Sequence, residues 1–298
     1  MMELAETPAS APVGKVRAYI LRMAGLSTTA IKVLRTCNEP NTCANDLNRV
    51  ISLDPVLTGR VLQLINSAYY CLPSKVNSLT RAIILLGINT VKNLVLSFAI
   101  FESFSQRDSF RAFSADEFWT HSLSTAAAAK LLAAGRGVPL SEREDFFVAG
   151  LMHDIGKIPL NHLFPEAYRE AAAISRDSGR GMRFGEDTRI GVDHCRVGHL
   201  IARKWQLSPT LAAALSGHHA DDDGGADILD VADVVALADA LAHHMGAGIP
   251  GGLSLDEAGR GRLHTRWQLT ERHMTELTGV VAGEIEKAKV FLEIAARH

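Results

Sequence analysis

The stretch ISLDPVLTGRVLQLINSAYY, from Ile51 to Tyr70, reads as a short helix end followed by a second, capped helix. Asp54-Pro55 is the start signal. The aspartate side chain can accept from the free N–H groups of a first turn, and proline at the first helical position gives up a donor that has no partner there. Leu57, Val61, Leu62 and Ile65 then recur on one helical face. Upstream, Val16, Ile20 and Met23, then Ile31 and Leu34, keep the same period, a turn is predicted at Asn38 to Asn41 around Pro40, and Asp46, Leu47, Val50 and Ile51 form a short helix. Residues 1–13, rich in Ala and Pro, read as a loose tail. Downstream, Pro73 breaks the chain, Ser78 can cap a helix from Leu79 to Leu86, and Gly87 separates it from a second helix, Thr90 to Phe104, with Val91, Leu94, Val95 and Phe98 on one side.

The second half continues in helices. Polar residues from Ser105 to Asp116 are the best seam between two lobes, and an Ala-rich helix from Phe118 to Ala134 follows. Ser141 with Glu144 suggests a capping box for a helix from Glu142 to His153. Ser175 to Asp187, with three glycines, reads as a flexible loop. Further helices are expected at Val192 to Trp205, from Ser208-Pro209 to Gly217, at Asp227 to Met245 and at Thr270 to Arg297, with a loop at Gly246 to Gly252. No useful period-2 segment and no fixed-period repeat occurs, so the expected class is all-α, a two-lobed helical bundle.

Composition narrows the partners. With 47% hydrophobic and 21% charged residues over 298 positions, the chain can bury a sizeable core. A net charge of −2 gives no electrostatic footprint for nucleic acid. The helix-Gly-helix at Leu79 to Phe104 could imitate a DNA reader, but only Arg81 and Lys92 are basic there. Cys37, Cys43, Cys71 and Cys195 form no C-x-x-C pair, and the N-terminus lacks the basic start and apolar run of a signal peptide. The longest apolar runs, such as Leu94 to Phe101, fall short of the roughly 20 residues that cross a bilayer. A cytoplasmic protein with no membrane contact is expected.

The 12 histidines matter by placement. His121 opens one helix, His153-Asp154 closes the next, His194 starts a third, His218-His219 closes a fourth and Asp239 lies inside a fifth. A helical bundle can bring such helix ends and inner faces into one cavity. Imidazoles and carboxylates without thiolates suit iron, manganese, zinc or nickel and argue against a structural zinc site. His153-Asp154 sits among Ala149, Leu151, Met152 and Ile155, where two ionisable groups cost several kcal/mol unless paired or metal-bound. A metal would answer that cost, and so would a salt bridge from Asp154 to Lys157 or an arginine. His243-His244 lie one turn beyond Asp239 and could reach the same site, but read first as a solvated helix end; His199 reads as exposed or structural, Asp221 to Asp223 as a solvated acidic loop, and Trp119, Trp205 and Phe146-Phe147 as core.

HDIGK (His153 to Lys157), with FWTHS (Phe118 to Ser122) before it and ALADALA (Ala236 to Ala242) after it, resembles the H…HD…D signature of the HD superfamily of metal-dependent phosphohydrolases. The segments Ile51 to Tyr70 and SLTRAIILLGINTVKNLVL (Ser78 to Leu96) resemble the HDOD family of bacterial signalling modules, in which a helical lobe precedes a modified HD core. GVDHCRVGHLIARKW (Gly191 to Trp205) and the GHH at Gly217 to His219 are also similar, so the resemblance covers roughly residues 15–245.

The resemblance implies that His121, His153, Asp154 and Asp239 match the ligands of a mononuclear HD site. It places His194, His218 and His219 where the HD-GYP branch has ligands for a second metal, and Lys157 where that branch has a phosphate-contacting lysine. Many HDOD members have lost such residues; here every position that aligns is filled. One or two divalent ions are therefore expected, iron or manganese first, then zinc or nickel. ADDDGGAD follows His219 with no Gly-Tyr-Pro, which counts against cyclic-dinucleotide cleavage. The implied division is a tail at 1–13, an HDOD-type helical lobe at 14–105, an HD-like metal lobe at 116–252 and a helical extension at 253–298.

Three functions follow as expectations. The first is a non-catalytic regulatory module acting on other signalling proteins. The second is a metal-dependent phosphohydrolase in which Asp154 and Lys157 act on a phosphoester or nucleotide, and the third a nucleic-acid or nucleotide adaptor. The last helix, with Met274, Leu277, Val280, Val281, Ile285, Val290 and Leu292, presents an apolar face that the N-terminal lobe is expected to cover.

Overall fold

The computed structural model of the chain describes residues 11–23, 25–104, 109–219, 230–247, 267 and 270–296, and its described elements are all helices. The first half holds α1 (Ala11–Arg22), α2 (Thr28–Cys37), α3 (Ala44–Ile51), α4 (Pro55–Ile65), α5 (Leu79–Leu86) and α6 (Ile88–Phe104). The cap signals act as the sequence suggests: Leu57 N donates to Asp54 Oδ1 at 2.9 Å, and Arg81 N donates to Ser78 Oγ at 3.1 Å. Asn66, at the end of α4, ties the loop that follows, donating to Val76 O and accepting from Val76 N at 2.8 and 2.7 Å.

α5 and α6 meet at a 116° bend. Twelve of the seventeen residues of α6 are buried, so it is the central helix of the N-terminal half and has no free face to offer a DNA groove. No single helix among the described residues is long and apolar enough to cross a membrane.

The second half is α7 (Ala115–Gly135), α8 (Arg143–Met152), α9 (Lys157–Leu163), α10 (Pro165–Ser178), α11 (Met182–Arg189), α12 (His194–Trp205), α13 (Pro209–Gly217), α14 (Val231–His244) and α15 (Glu271–Ala295). α7 is its axis, with α8, α14 and α15 packed around it. The buried run Ala126 to Ala129 makes this possible, because small side chains let helices approach. A Cβ added at Gly150 of α8 would lie 2.7 Å from Ala126 Cα, so only glycine fits where α8 crosses α7.

Several expectations are corrected. α1 starts at Ala11, inside the expected tail, with Pro12 in its first turn, where its missing N–H costs nothing. The glycine-rich stretch at Ser175 to Asp187 is mostly helical: Gly179, at φ 68°, ends α10, and α11 begins at Met182. The capping box at Ser141 and Glu144 does not form, because Glu144 turns inward to a buried network instead. Residues 1–10, Ser105 to Asp108, the acidic run Asp221 to Asp223, Ile249 to Gly252 and Arg297 lie outside the described residues.

One continuous apolar core runs from Val16 on α1 to Ala295 on α15. Phe291 of α15 stacks on Phe98 of α6 at 5.0 Å and meets Phe147 of α8 edge-on at 6.1 Å. From Val281 onward the last helix is covered by α4 and α6 of the N-terminal half and by α7 and α8, whereas Val280, which the period put on the same face, is exposed. A polar clamp also joins the halves. Lys130 of α7 pairs with buried Glu144 of α8 and lies 4.4 Å from the centre of the Tyr69 ring, while Tyr70 donates to Glu144 Oε1 at 3.0 Å. Beside it, Asn93 of α6 donates to Asp145 Oδ1 at 2.6 Å.

Candidate metal centre

The residues singled out by spacing converge on one buried cavity. His121 projects from the middle of α7, His153 and Asp154 follow the end of α8, Lys157 begins α9, His194 begins α12, His218 and His219 follow α13, and Asp239 lies within α14. Their ligand atoms form two groups, His121 with His153 and Asp239, and Asp154 with His194, His218 and His219. Within each group the donor atoms all lie within 4.8 Å of one another. Asp154 faces both groups: its Oδ2 is 3.6 Å from His121 Nε2 and 3.4 Å from His153 Nε2, and its Oδ1 is 3.5 Å from His194 Nε2 and 3.8 Å from His218 Nε2. Asp239 Oδ1 closes the first group at 3.0 Å from His121 Nε2 and 3.5 Å from His153 Nε2.

Four of these imidazoles are oriented the same way. Nδ1 of His121 contacts the Ala247 carbonyl, that of His153 the Gly150 carbonyl at 2.7 Å, that of His218 the Ala214 carbonyl at 3.0 Å, and that of His194 the Glu186 carboxylate at 2.6 Å. Each contact requires a proton on Nδ1, which leaves Nε2 of the neutral ring with a lone pair pointing into the cavity. These four Nε2 atoms, with Asp154 Oδ1 and Asp239 Oδ1, are buried and have no hydrogen-bond partner. Unsatisfied buried polar atoms are individually costly, and here six of them face one space. The donor set fits a divalent cation: lone-pair imidazoles held by outer hydrogen bonds, with ionised carboxylates between them.

The charges of these groups are tightly coupled. Burial opposes the charge of Asp154 and Asp239, yet the surrounding histidines, joined at Asp154 by Lys157, hold both carboxyls well below their usual range. Burial likewise opposes charge on His153, but Asp154 and Asp239 outweigh it and raise its pKa to about 10. Glu186 does the same for His194, lifting it well above the ordinary value. Burial drives His218 down to about 4 and His219 well below its usual value. Lys157 Nζ lies 2.6 Å from Asp154 Oδ2, the salt bridge foreseen as the alternative to a metal. It answers Asp154 Oδ2, which is not one of the six, and leaves all six orphaned atoms as they are.

One residue at the site was ranked wrongly from the sequence and another was missed. His243 is not a solvated helix end; it stands one turn beyond Asp239, its Nε2 3.4 Å from Asp239 Oδ1 and its ring 4.7 Å from that of His121. The i, i+4 spacing carried the signal, whereas His244 is exposed, as is His199. Glu186, fully buried on α11, holds the Nδ1 and backbone N–H of His194. Its place in a glycine-rich stretch hid it.

The HDOD domain family matches this chain over residues 23–221. The chain belongs to the HDOD family. The same fold occurs in an HDOD domain protein of unknown function from Geobacter sulfurreducens, with a TM-score of 0.71, 22% identity, and 94% of this chain and 97% of that one covered. A Shewanella amazonensis protein provisionally named a phosphohydrolase aligns with a TM-score of 0.68 and 20% identity, over 93% of this chain and 98% of its own. A Marinobacter aquaeolei protein provisionally named for signal transduction aligns with a TM-score of 0.69 and 20% identity, over 96% of this chain and 66% of its own. A curated Treponema pallidum protein without an assigned function is 22% identical over 194 residues, 65% of this HDOD chain, which spans only 37% of that relative's length.

Proposed function

We propose that this chain is an HDOD-type regulatory protein whose HD-like half holds one or two divalent metal ions and which acts by contact with other signalling proteins rather than by catalysis. The observation that carries the reading is the convergence of orphaned donors: His121, His153 and His194 are fully buried, Asp154 and Asp239 are 1% and 4% exposed, and only His219 of the set is partly buried. Such a chamber suits an ion as a fixed part of the structure or as a sensed ligand. A phosphoester, which needs room beside the ion, suits it poorly. His121, His153 and Asp239 would hold one ion and His194, His218 and His219 another, with Asp154 shared and His243 beside the first group. Iron or manganese suits the mixed imidazole and carboxylate donors first, and zinc or nickel next.

In this reading residues 14–105 form the partner-facing lobe, 116–252 the metal lobe and 253–298 an extension whose α15 packs on both. The clamp of Tyr69, Tyr70 and Asn93 on Lys130, Glu144 and Asp145 supports a mechanical link. It grips the start of α8, whose other end leads into His153 and Asp154, so a change at the metal centre is felt at the lobe contact.

A second reading, a metal-dependent phosphohydrolase, is favoured by the filled donor set and by Lys157. When bound, an ion would supply Lewis acidity toward a phosphoester. Lys157 would neutralise phosphoryl charge, and Asp154 would hold both the lysine and the ion. Elemental analysis by mass spectrometry on the untagged protein, followed by a chromogenic phosphodiester with Mn²⁺ or Fe²⁺, separates the two. Bound metal with no turnover, or with a trace rate unchanged in Asp154→Ala, is expected. Turnover abolished in that variant favours the enzyme, and absence of metal sinks both.

A further inference from the structure

Glu186 is the one acidic outer partner among the four oriented histidines. The other three imidazoles rest their Nδ1 on backbone carbonyls, whereas His194 rests on a buried carboxylate. The same oxygen, Glu186 Oε2, also accepts the His194 backbone N–H at 2.8 Å, so the ring and the main chain of that residue are fixed by one group. The placement is built in from both sides. A Cβ on the neighbouring Gly185 would lie 2.1 Å from the Ala171 carbonyl oxygen, so α11 sits hard against α10 with no room to shift. Asp193 caps α12, accepting from Arg196 N at 2.8 Å, and pairs with Arg183 of α11 at 3.1 Å, which locks the two helices across Glu186. Tyr168 of α10 lies beside the carboxylate; burial and Glu186 together hold its hydroxyl well above the usual pKa.

A buried carboxylate behind an imidazole fixes its tautomer and makes its far nitrogen a stronger donor, and loss of such an outer partner typically weakens metal binding 10–100-fold. We propose that Glu186 is a positioning residue that acts through His194 and sets the cation affinity of one half of the centre, that of Asp154, His194, His218 and His219, leaving the half formed by His121, His153 and Asp239 unaffected. The inference rests on the reading of the cavity as a metal centre and deepens it, because it makes the two halves unequal by design.

The test is Mn²⁺ titration of the full chain by calorimetry, with Mn²⁺ per protein counted after gel filtration. Glu186→Gln keeps an acceptor of the same shape and removes the charge; Glu186→Ala removes both. Expected for Glu186→Gln is roughly 10–100-fold weaker binding in one class of site, with the unfolding midpoint in chelator unchanged, which a merely structural role would not give. In a His194→Ala background, Glu186→Gln should add no further loss. Unchanged Mn²⁺ affinity in Glu186→Gln, an equal loss in both halves, or a full extra loss on top of His194→Ala overturns the proposal. Glu186→Gln keeps the test open even if Glu186→Ala fails to fold. A wild-type chain that takes up no Mn²⁺ removes the metal reading and this inference with it, whereas normal uptake by wild type and variant alike overturns the inference only.

Discussion

Asp154 holds the most exacting position in the molecule, because it faces four imidazoles and one ammonium from a site with almost no solvent. Removing it leaves Lys157 buried without its 2.6 Å partner, so Asp154→Ala should cost about 3–5 kcal/mol even in chelator. Denaturant unfolding checks this, and Asp154→Ala with Lys157→Met should recover part of the loss; full stability of the single variant would contradict the pairing. The same groups set a pH dependence. With no cation bound, His153, at about 10, and His194, also raised, hold protons at neutral pH, and a cation must displace them to use the Nε2 lone pairs. Binding should therefore strengthen as pH rises toward about 10 and weaken as it falls. Mn²⁺ titrations on either side of neutrality read this, and equal affinity at both would refute it. Of the site residues, the ones legible in the sequence sit in short motifs with recognisable spacing, such as HDIGK and GHH. Glu186 was not legible because its carboxylate is recruited across a helix boundary, eight residues before His194, with no local pattern to betray it.

At the level of elements, apolar period and cap chemistry located most helices, since Asp54, Ser78 and Ser208 use the hydrogen bonds that their sequence positions imply. The period failed where tertiary contact overrode local preference. Gly185 reads as loop chemistry, yet it is glycine because the Ala171 carbonyl leaves no space for a side chain, and Glu144 reads as a cap yet is drawn inward by Lys130. Gly156 shows the same logic at the metal centre. A Cβ there would lie 2.0 Å from the His194 carbonyl oxygen, so α9 and α12 can meet only over a glycine. Gly156→Ala should force the two helices apart, destabilise by about 1–3 kcal/mol and lower the metal content by moving His194. A thermal melt in chelator and elemental analysis give the two readouts, and a stable variant with full metal would show that the contact is slack.

For the whole molecule, the continuous core makes α15 a strut between the halves. Phe291→Ala should cost about 3–5 kcal/mol and loosen both ends together, giving one transition that shifts as a unit by calorimetry; two separated transitions would mean that the halves fold independently. A cation held in the centre should stabilise the chain by roughly 2.7 kcal/mol at a hundredfold excess over Kd, seen as a rise in the melting midpoint on adding Mn²⁺. The all-helical layout was legible because period 3.6 is a local signal, while the clamp between the two halves joins residues tens of positions apart and leaves no such trace. The depth at which most of the donors are buried bears on a timescale as well as an affinity. A cation held that deep should leave at the pace of helix breathing, so its release should stay indifferent to how much scavenger waits outside. A chain loaded in this way would lose its cation slowly after the supply had gone.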